Sequence, residues 1–390
     1  MAPATCPEKR NSPGRLTRAA TMAEFAVDVA AGILVDALLP AMAGIPSGKL
    51  DGKPIAKLDT GVLTHTGGGS CEVAGSNAYI AGGVGLAIVD VSDPTNPKKR
   101  KTVNTGVLSR EGAGTVAVVG ETAFVAGGLG LAVVDVSNPA GAKKIGSCDT
   151  GVLCHSSGGH VLIDPNSGAT RLYVTGGLGV AVIDVSDRTK PKKVASVDTG
   201  VLSREGAGHS ALAGRYLFVA GGLGLAVIDV SDPQSPKKVK TISTTVGTHA
   251  GGNHVVLNGS GLAYVAGGMG LAVLDVSDPL APAKIGSVDT GVLCHNSGGH
   301  AYIAPGAHLL VSGGLGLCIL DISEPATPKK LRMVNTGVAS REGGMGVAFG
   351  MGKYAFCAGG LGFAVVELFD VALAEAVAVP EAKGSSAKES

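Results

Sequence analysis

The chain has no tryptophan, and its 390 residues include only seven phenylalanines and six tyrosines. Aromatic stacking platforms for bases or sugars are therefore not expected. Neither charge dominates: 32 lysines and arginines face 31 aspartates and glutamates, a net +1. That balance gives no general case for nucleic acid or an anionic membrane as partner. Cysteine is scarce and odd in number (Cys6, Cys71, Cys148, Cys154, Cys294, Cys318 and Cys357), with no CxxC pair. A disulfide scaffold is not expected, and a reducing compartment, intracellular or organellar, is favoured over secretion. A long uninterrupted apolar run is missing too. Residues 22–44 read as an amphipathic helical extension, but Asp28 and Asp36 interrupt it. It fits neither a membrane span nor a signal peptide, and no transmembrane segment is expected.

Glycine, by contrast, is abundant, with 62 residues, and it is periodic. The string AGG-x-G-x returns at Ala81, Ala126, Thr175, Ala220, Ala266, Ser312 and Ala358, with Thr or Ser in place of the first Ala in two copies. A second marker, (D/N)TGV, opens at Asp59, Asn104, Asp149, Asp198, Asp289 and Asn335, with a degenerate copy near Thr244. The unit is about 46 residues long, and seven copies fill residues 53–370.

One unit shows the grammar. HVLID (His160–Asp164) is a short β-prone run, followed by turn chemistry in PNSGAT. RLYVTGG and GVAVIDV are two more strands, SDRTKP is a turn, and KKVASVD is a fourth strand. Four short strands per unit is the pattern of a propeller blade. The ends are complementary. PIAKLDTGV at Pro54 matches a fourth strand with no first three before it, and the last unit ends at GLGFAVVELFD without its own fourth strand. The expected fold is all-β, a seven-bladed β-propeller whose N-terminal strand closes the last blade and removes an open edge. Residues 1–21 and 371–390 read as disordered.

GGLGLAVVDVSNP at Gly127, GGLGLAVIDVSDPQSPKK at Gly221 and GGMGLAVLDVSDPLAP at Gly267 resemble the LVIVD repeat family. The resemblance covers about residues 53–370. It implies a propeller, usually in bacterial and archaeal surface or exported proteins, and it implies no single activity.

Chemistry-bearing residues gather in one window per unit. The windows read THTGGGS from Thr64, SREGAGT from Ser109, CHSSGGH from Cys154, SREGAGH from Ser203, THAGGNH from Thr248, CHNSGGH from Cys294 and SREGGMG from Ser340. Eight of nine histidines lie in them. In a propeller this stretch links an outer strand to the next inner strand, so the windows converge on one mouth of the central channel. Position two carries His65, His155, His249 and His295, or else Arg110, Arg204 and Arg341, each followed by Glu111, Glu205 or Glu342. Position seven carries His160, His209, His254 and His300.

Three readings stay open. The arginine forks, each beside a glutamate, can clamp a small anionic ligand or a partner protein. Either histidine column can hold a transition metal, iron, copper or zinc, in an oxygenase- or hydrolase-like enzyme. Or the polar ring satisfies the channel mouth, with arginine and glutamate pairing between blades and histidines capping loop carbonyls. The leading expectation is a non-enzymatic binding or scaffolding module with no required cofactor; a subunit of a larger assembly is also compatible. The DVSDP aspartates are expected to fix turns, and lysine pairs such as Lys98/Lys99 to protect outer edges.

Overall fold

The computed structural model describes residues 50–369 apart from 67, 109–113, 155–157, 203–207, 249–252, 295–298 and 343. The segments 1–21, 22–44 and 371–390 lie outside the described residues, as do Arg110, Glu111, His155, Arg204, Glu205, His249 and His295.

The strands follow the sequence grammar. In the first blade they span Gly69–Ala74, Asn77–Gly82, Gly85–Asp90 and Lys98–Val103, joined by tight antiparallel connections. Seven such four-stranded sheets form, and none shares a strand with another. The seventh holds Gly346–Gly350, Tyr354–Gly359 and Gly362–Phe369, with Leu50–Leu58 as its outer strand. The chain thus closes its own ring, three strands from one end and one from the other, as the sequence ends predict.

The two middle strands of each blade are buried on both faces, as in TAFVAG and GLAVVD of the second blade. The reason is visible in the core. Buried apolar residues fall into seven clusters, each built from two adjacent blades. A lone blade would leave both faces wet; stacking around an axis removes them from water. At the closure, Phe356 stacks on Phe363 at 6.2 Å within a cluster that also takes Val62, Cys71 and Ile80 from the first blade.

Glycine earns its place at one repeated contact. A Cβ on Gly221, the first glycine of its GG pair, would lie 2.2 Å from the Val201 carbonyl oxygen, which belongs to the preceding (D/N)TGV marker. The same clash meets Gly82, Gly176 and Gly359. The two sequence markers are therefore one packing contact, and the close approach admits no side chain.

The aspartates of DVSDP fix turns. Asp90 Oδ1 accepts from the Ser92 amide at 3.0 Å, and Asp93 Oδ1 from the Thr95 amide at 3.0 Å. The Ser92 amide holds the Asp90 carboxyl below its ordinary pKa, and the Thr95 hydroxyl, then its amide, does the same for Asp93. The lysine pairs open the exposed outer strands, with Lys98 opposite Asp90. The second lysine is not merely an edge charge: Lys99 Nζ donates to the Thr60 carbonyl, 39 residues away.

Candidate functional site

Each window begins after the marker's valine and ends on the innermost strand. Size compensation seats it. In five blades a Cβ on the sixth window residue (Gly69, Gly114, Gly159, Gly208 or Gly299) would lie 2.0–2.2 Å from the Cδ2 of the leucine that follows the marker valine. Where that leucine is replaced by Gly247 or Ala339, the sixth residue becomes Asn253 or Met345, both buried. Leucine with glycine and small residue with large are two solutions to one volume.

The seventh position lies at the axis, on Ser70, Thr115, His160, His209, His254, His300 and Gly346. These residues share one register, opposite Ala81, Ala126, Thr175, Ala220, Ala266, Ser312 and Ala358. Innermost strands are sheet edges, so their outward N–H groups need acceptors. The column supplies them. Val116 N–H donates to Ser70 Oγ at 3.1 Å, and Val161 N–H to Thr115 Oγ1 at 3.0 Å. Ser210 N–H donates to His160 Nδ1 at 3.2 Å, and Ala301 N–H to His254 Nδ1 at 3.3 Å. A side chain of one blade thus accepts from the next blade's inner strand. Blade seven carries Gly346 because a Cβ there would lie 2.7 Å from the Gly69 carbonyl oxygen.

The four histidines stack in sequence order. Ring centroids lie 3.5 Å apart for His160–His209, 3.4 Å for His209–His254 and 3.9 Å for His254–His300. Burial, then the neighbouring rings, push their pKa values down. His160 falls to about 3, through burial and then His300, and His300 to about 4, through burial. His209 and His254 fall well below 6.5. All four are neutral at pH 7. Because Nδ1 of His160 and His254 accepts from an amide, the proton of each ring sits on Nε2. A histidine that ligates a metal donates from its second nitrogen; here the second nitrogen accepts. The His160 and His254 rings accept amide protons, which follows from the unpaired N–H edge at the axis.

His65 and Arg341, the described residues of position two, lie outside this stack. His65 and Glu342 are exposed, and His65 Nδ1 is 3.7 Å from Glu342 Oε2 across the junction of blades seven and one. Ser340 Oγ donates to the His65 carbonyl at 2.6 Å and accepts from the Glu342 amide at 3.3 Å. Arg341 is exposed beside them. Of the position-two and position-three candidates, His65, Arg341 and Glu342 are described, and they meet at one point of the mouth. Among the described residues no three His, Cys, Asp or Glu side chains form a metal-holding group, and the six described cysteines are free thiols.

Two features escaped the sequence reading. Ser70 and Thr115 belong to the axial column; the signal was that position seven always carries an acceptor or glycine. On the opposite face, a cavity of about 220 Å³ between blades three and four is lined by Asp164, Asn166, Arg171, Tyr173 and Arg215. Buried Asp164 accepts from Arg171 Nε at 2.6 Å and from the Tyr173 hydroxyl at 3.2 Å. It stands in the longest of the seven units, where an insertion lengthens the first hairpin.

Among solved structures, the chain is similar to the periplasmic gluconolactonase PpgL of Pseudomonas aeruginosa. Identity is 14%, 70% of this chain and 86% of that one are covered, and the TM-score is 0.54. It is similar to virginiamycin B lyase of Staphylococcus aureus at 9% identity, covering 80% and 99%, with a TM-score of 0.53. It is similar to BamB of Moraxella catarrhalis at 14% identity, covering 83% and 97%, with a TM-score of 0.51. At such identities the likeness concerns the fold alone. No protein of curated function matches the chain. No helix among the described residues is long and apolar enough to cross a membrane. The LVIVD repeat profile matches residues 68–105, 112–150, 172–199, 207–244, 255–290 and 296–336, more than half of the sequence. The chain therefore belongs to the LVIVD repeat family.

Proposed function

We propose that this propeller is a non-enzymatic binding or scaffolding module that holds a small anionic ligand or a partner protein at the polar mouth. The observation that carries this reading is the exposed cluster of His65, Arg341 and Glu342 at the junction of blades seven and one. An exposed polar contact such as His65–Glu342 adds little to stability, so the scaffold has no need of it. An adjacent arginine offers a planar fork to a carboxylate or phosphate. The imidazoles beneath are neutral, so the mouth's positive charge comes from its arginines.

The test is thermal shift and calorimetry with inorganic phosphate and small mono- and dicarboxylates, on the wild type and Arg341→Ala. A ligand at 100 times its Kd adds about 2.7 kcal/mol of stability. A shift lost in Arg341→Ala supports the reading; no shift with any anion, and none with a purified partner, counts against it. Elemental analysis of the untagged protein addresses the metal reading. About one equivalent of iron, copper or zinc, lost in His65→Ala or His254→Ala, would replace the binding module with a metal enzyme.

A further inference from the structure

Each blade turns between its two middle strands at the mouth face, and one residue of that two-residue turn is a large exposed aliphatic. Leucine stands there at 129, 178, 223, 315 and 361, with exposures from 42% to 58%. Val84 at 39% and Met269 at 54% complete the seven blades. Tight turns favour glycine, asparagine, aspartate and serine, and the backbone here asks only for an N–H. That N–H donates to the marker-valine carbonyl at 2.9–3.2 Å in all seven blades. Any residue but proline would serve.

Duplication alone does not explain the pattern. The turn on the opposite face, copied with it, has drifted freely through Thr95, Ala140, Thr189, Gln234, Leu280 and Ala326. The mouth turn has changed only among valine, leucine and methionine. The ring also borders the polar windows. A Cβ on Gly360, beside Leu361, would lie 2.8 Å from the His65 carbonyl oxygen and 2.9 Å from Ser340 Cβ.

We propose that this aliphatic ring is a self-association surface, on which a second copy of the chain docks mouth to mouth. Area and charge carry the choice of occupant. Seven half-exposed aliphatics present on the order of 500 Å² per copy, as much as the largest apolar patch of a typical monomer. Two copies together bury on the order of 1,000 Å², the threshold of a specific interface. Beside the ring, exposed Arg341 and Glu342 put a cation and an anion next to each other. In a two-fold contact residue i meets j and j meets i, so such a surface complements itself. A bilayer offers nothing to the glutamates, and the lysine pairs that could attract it open their strands at the far end, Lys98 opposite Asp90. The chain's own ends also join the propeller at that far end, where Leu50 pairs with Phe369. The two mouths then enclose one polar chamber. This inference does not require that a ligand sit there.

Sedimentation velocity of the full chain from about 1 to 100 μM tests it. The expected species has twice the 38.4 kDa chain mass. Leu129→Gln/Leu223→Gln/Leu361→Gln is expected to weaken dimerisation at least 100-fold with unchanged circular dichroism. Should the triple variant fail to fold, Leu223→Gln alone is expected to weaken it about tenfold, while Leu280→Gln on the far face leaves it intact. A wild type that is monomeric at the top concentration overturns the proposal. So does a folded triple variant that still dimerises. A monomeric chain that floats with phosphatidylcholine vesicles overturns it in favour of a bilayer surface.

Discussion

His209 and His254 come from inner strands of neighbouring blades, and their rings stack with centroids 3.4 Å apart and planes 34° from parallel. Two cations cannot share that spacing in a buried site, so the stack is stable only while its imidazoles are neutral.

The pH dependence follows with a definite sign. Folded pKa values lie near 3 for His160 and near 4 for His300, against about 6.5 unfolded. Below 6.5 the unfolded chain takes up protons that the folded chain refuses. The stack's contribution is therefore complete above pH 6.5 and shrinks as pH falls toward 3–4, by up to about 1.4 kcal/mol per pH unit per ring. Melting temperature should hold from pH 8 to about 7 and fall steadily below about 6.5. His209→Ser, a residue the column already accepts at Ser70, should flatten that slope. An equal slope in the variant would assign the acid sensitivity elsewhere.

The closure of the ring depends on apolar packing. Phe363 is fully buried and stacks on Phe356 where blades seven and one meet. Phe363→Ala should destabilise by about 3–5 kcal/mol, measured by urea unfolding. A loss below about 1 kcal/mol would mean that the strand pairing of Leu50–Leu58, not the core behind it, holds the ring shut.

Gly221→Ala tests the contact between the two repeat markers. Its Cβ would press against a backbone carbonyl that cannot rotate away, so the expected loss is about 1–3 kcal/mol. Gly75, whose Cβ would meet open space, is the control. Its φ of +59° still penalises alanine, but by about 1 kcal/mol. Equal losses at both sites would show that backbone conformation, not close approach, fixes the glycine pattern.

Asp164→Ala removes the anchor of Arg171 and of the Tyr173 hydroxyl. Breaking a fully buried pair costs about 3–5 kcal/mol and an exposed one under about 1. Asp164 is 2% exposed and Arg171 28%, so a loss of about 2 kcal/mol is expected. A double-mutant cycle with Arg171→Met should recover a coupling of at least about 0.5 kcal/mol. No coupling would reduce the ion pair to a surface contact.

Blade number, strand order, the turn-fixing aspartates and closure by the N-terminal strand were legible in the sequence, because each is written in local periodicity repeated seven times. Even the pairing of GG with (D/N)TGV was visible as co-occurrence, though not as the contact between Gly221 and Val201. The roles of the two histidine columns were not readable in the same way. A slip of one residue exchanges the faces of a strand, and the radial position of His160 against His65 depends on how seven blades close. Only the tertiary structure decided that position seven lies at the axis, that its imidazoles face unpaired N–H groups of the next blade, and that Leu129 and its six counterparts remain exposed. Those are relations between blades, and a single repeat read along its length contains no information about the neighbour it will meet.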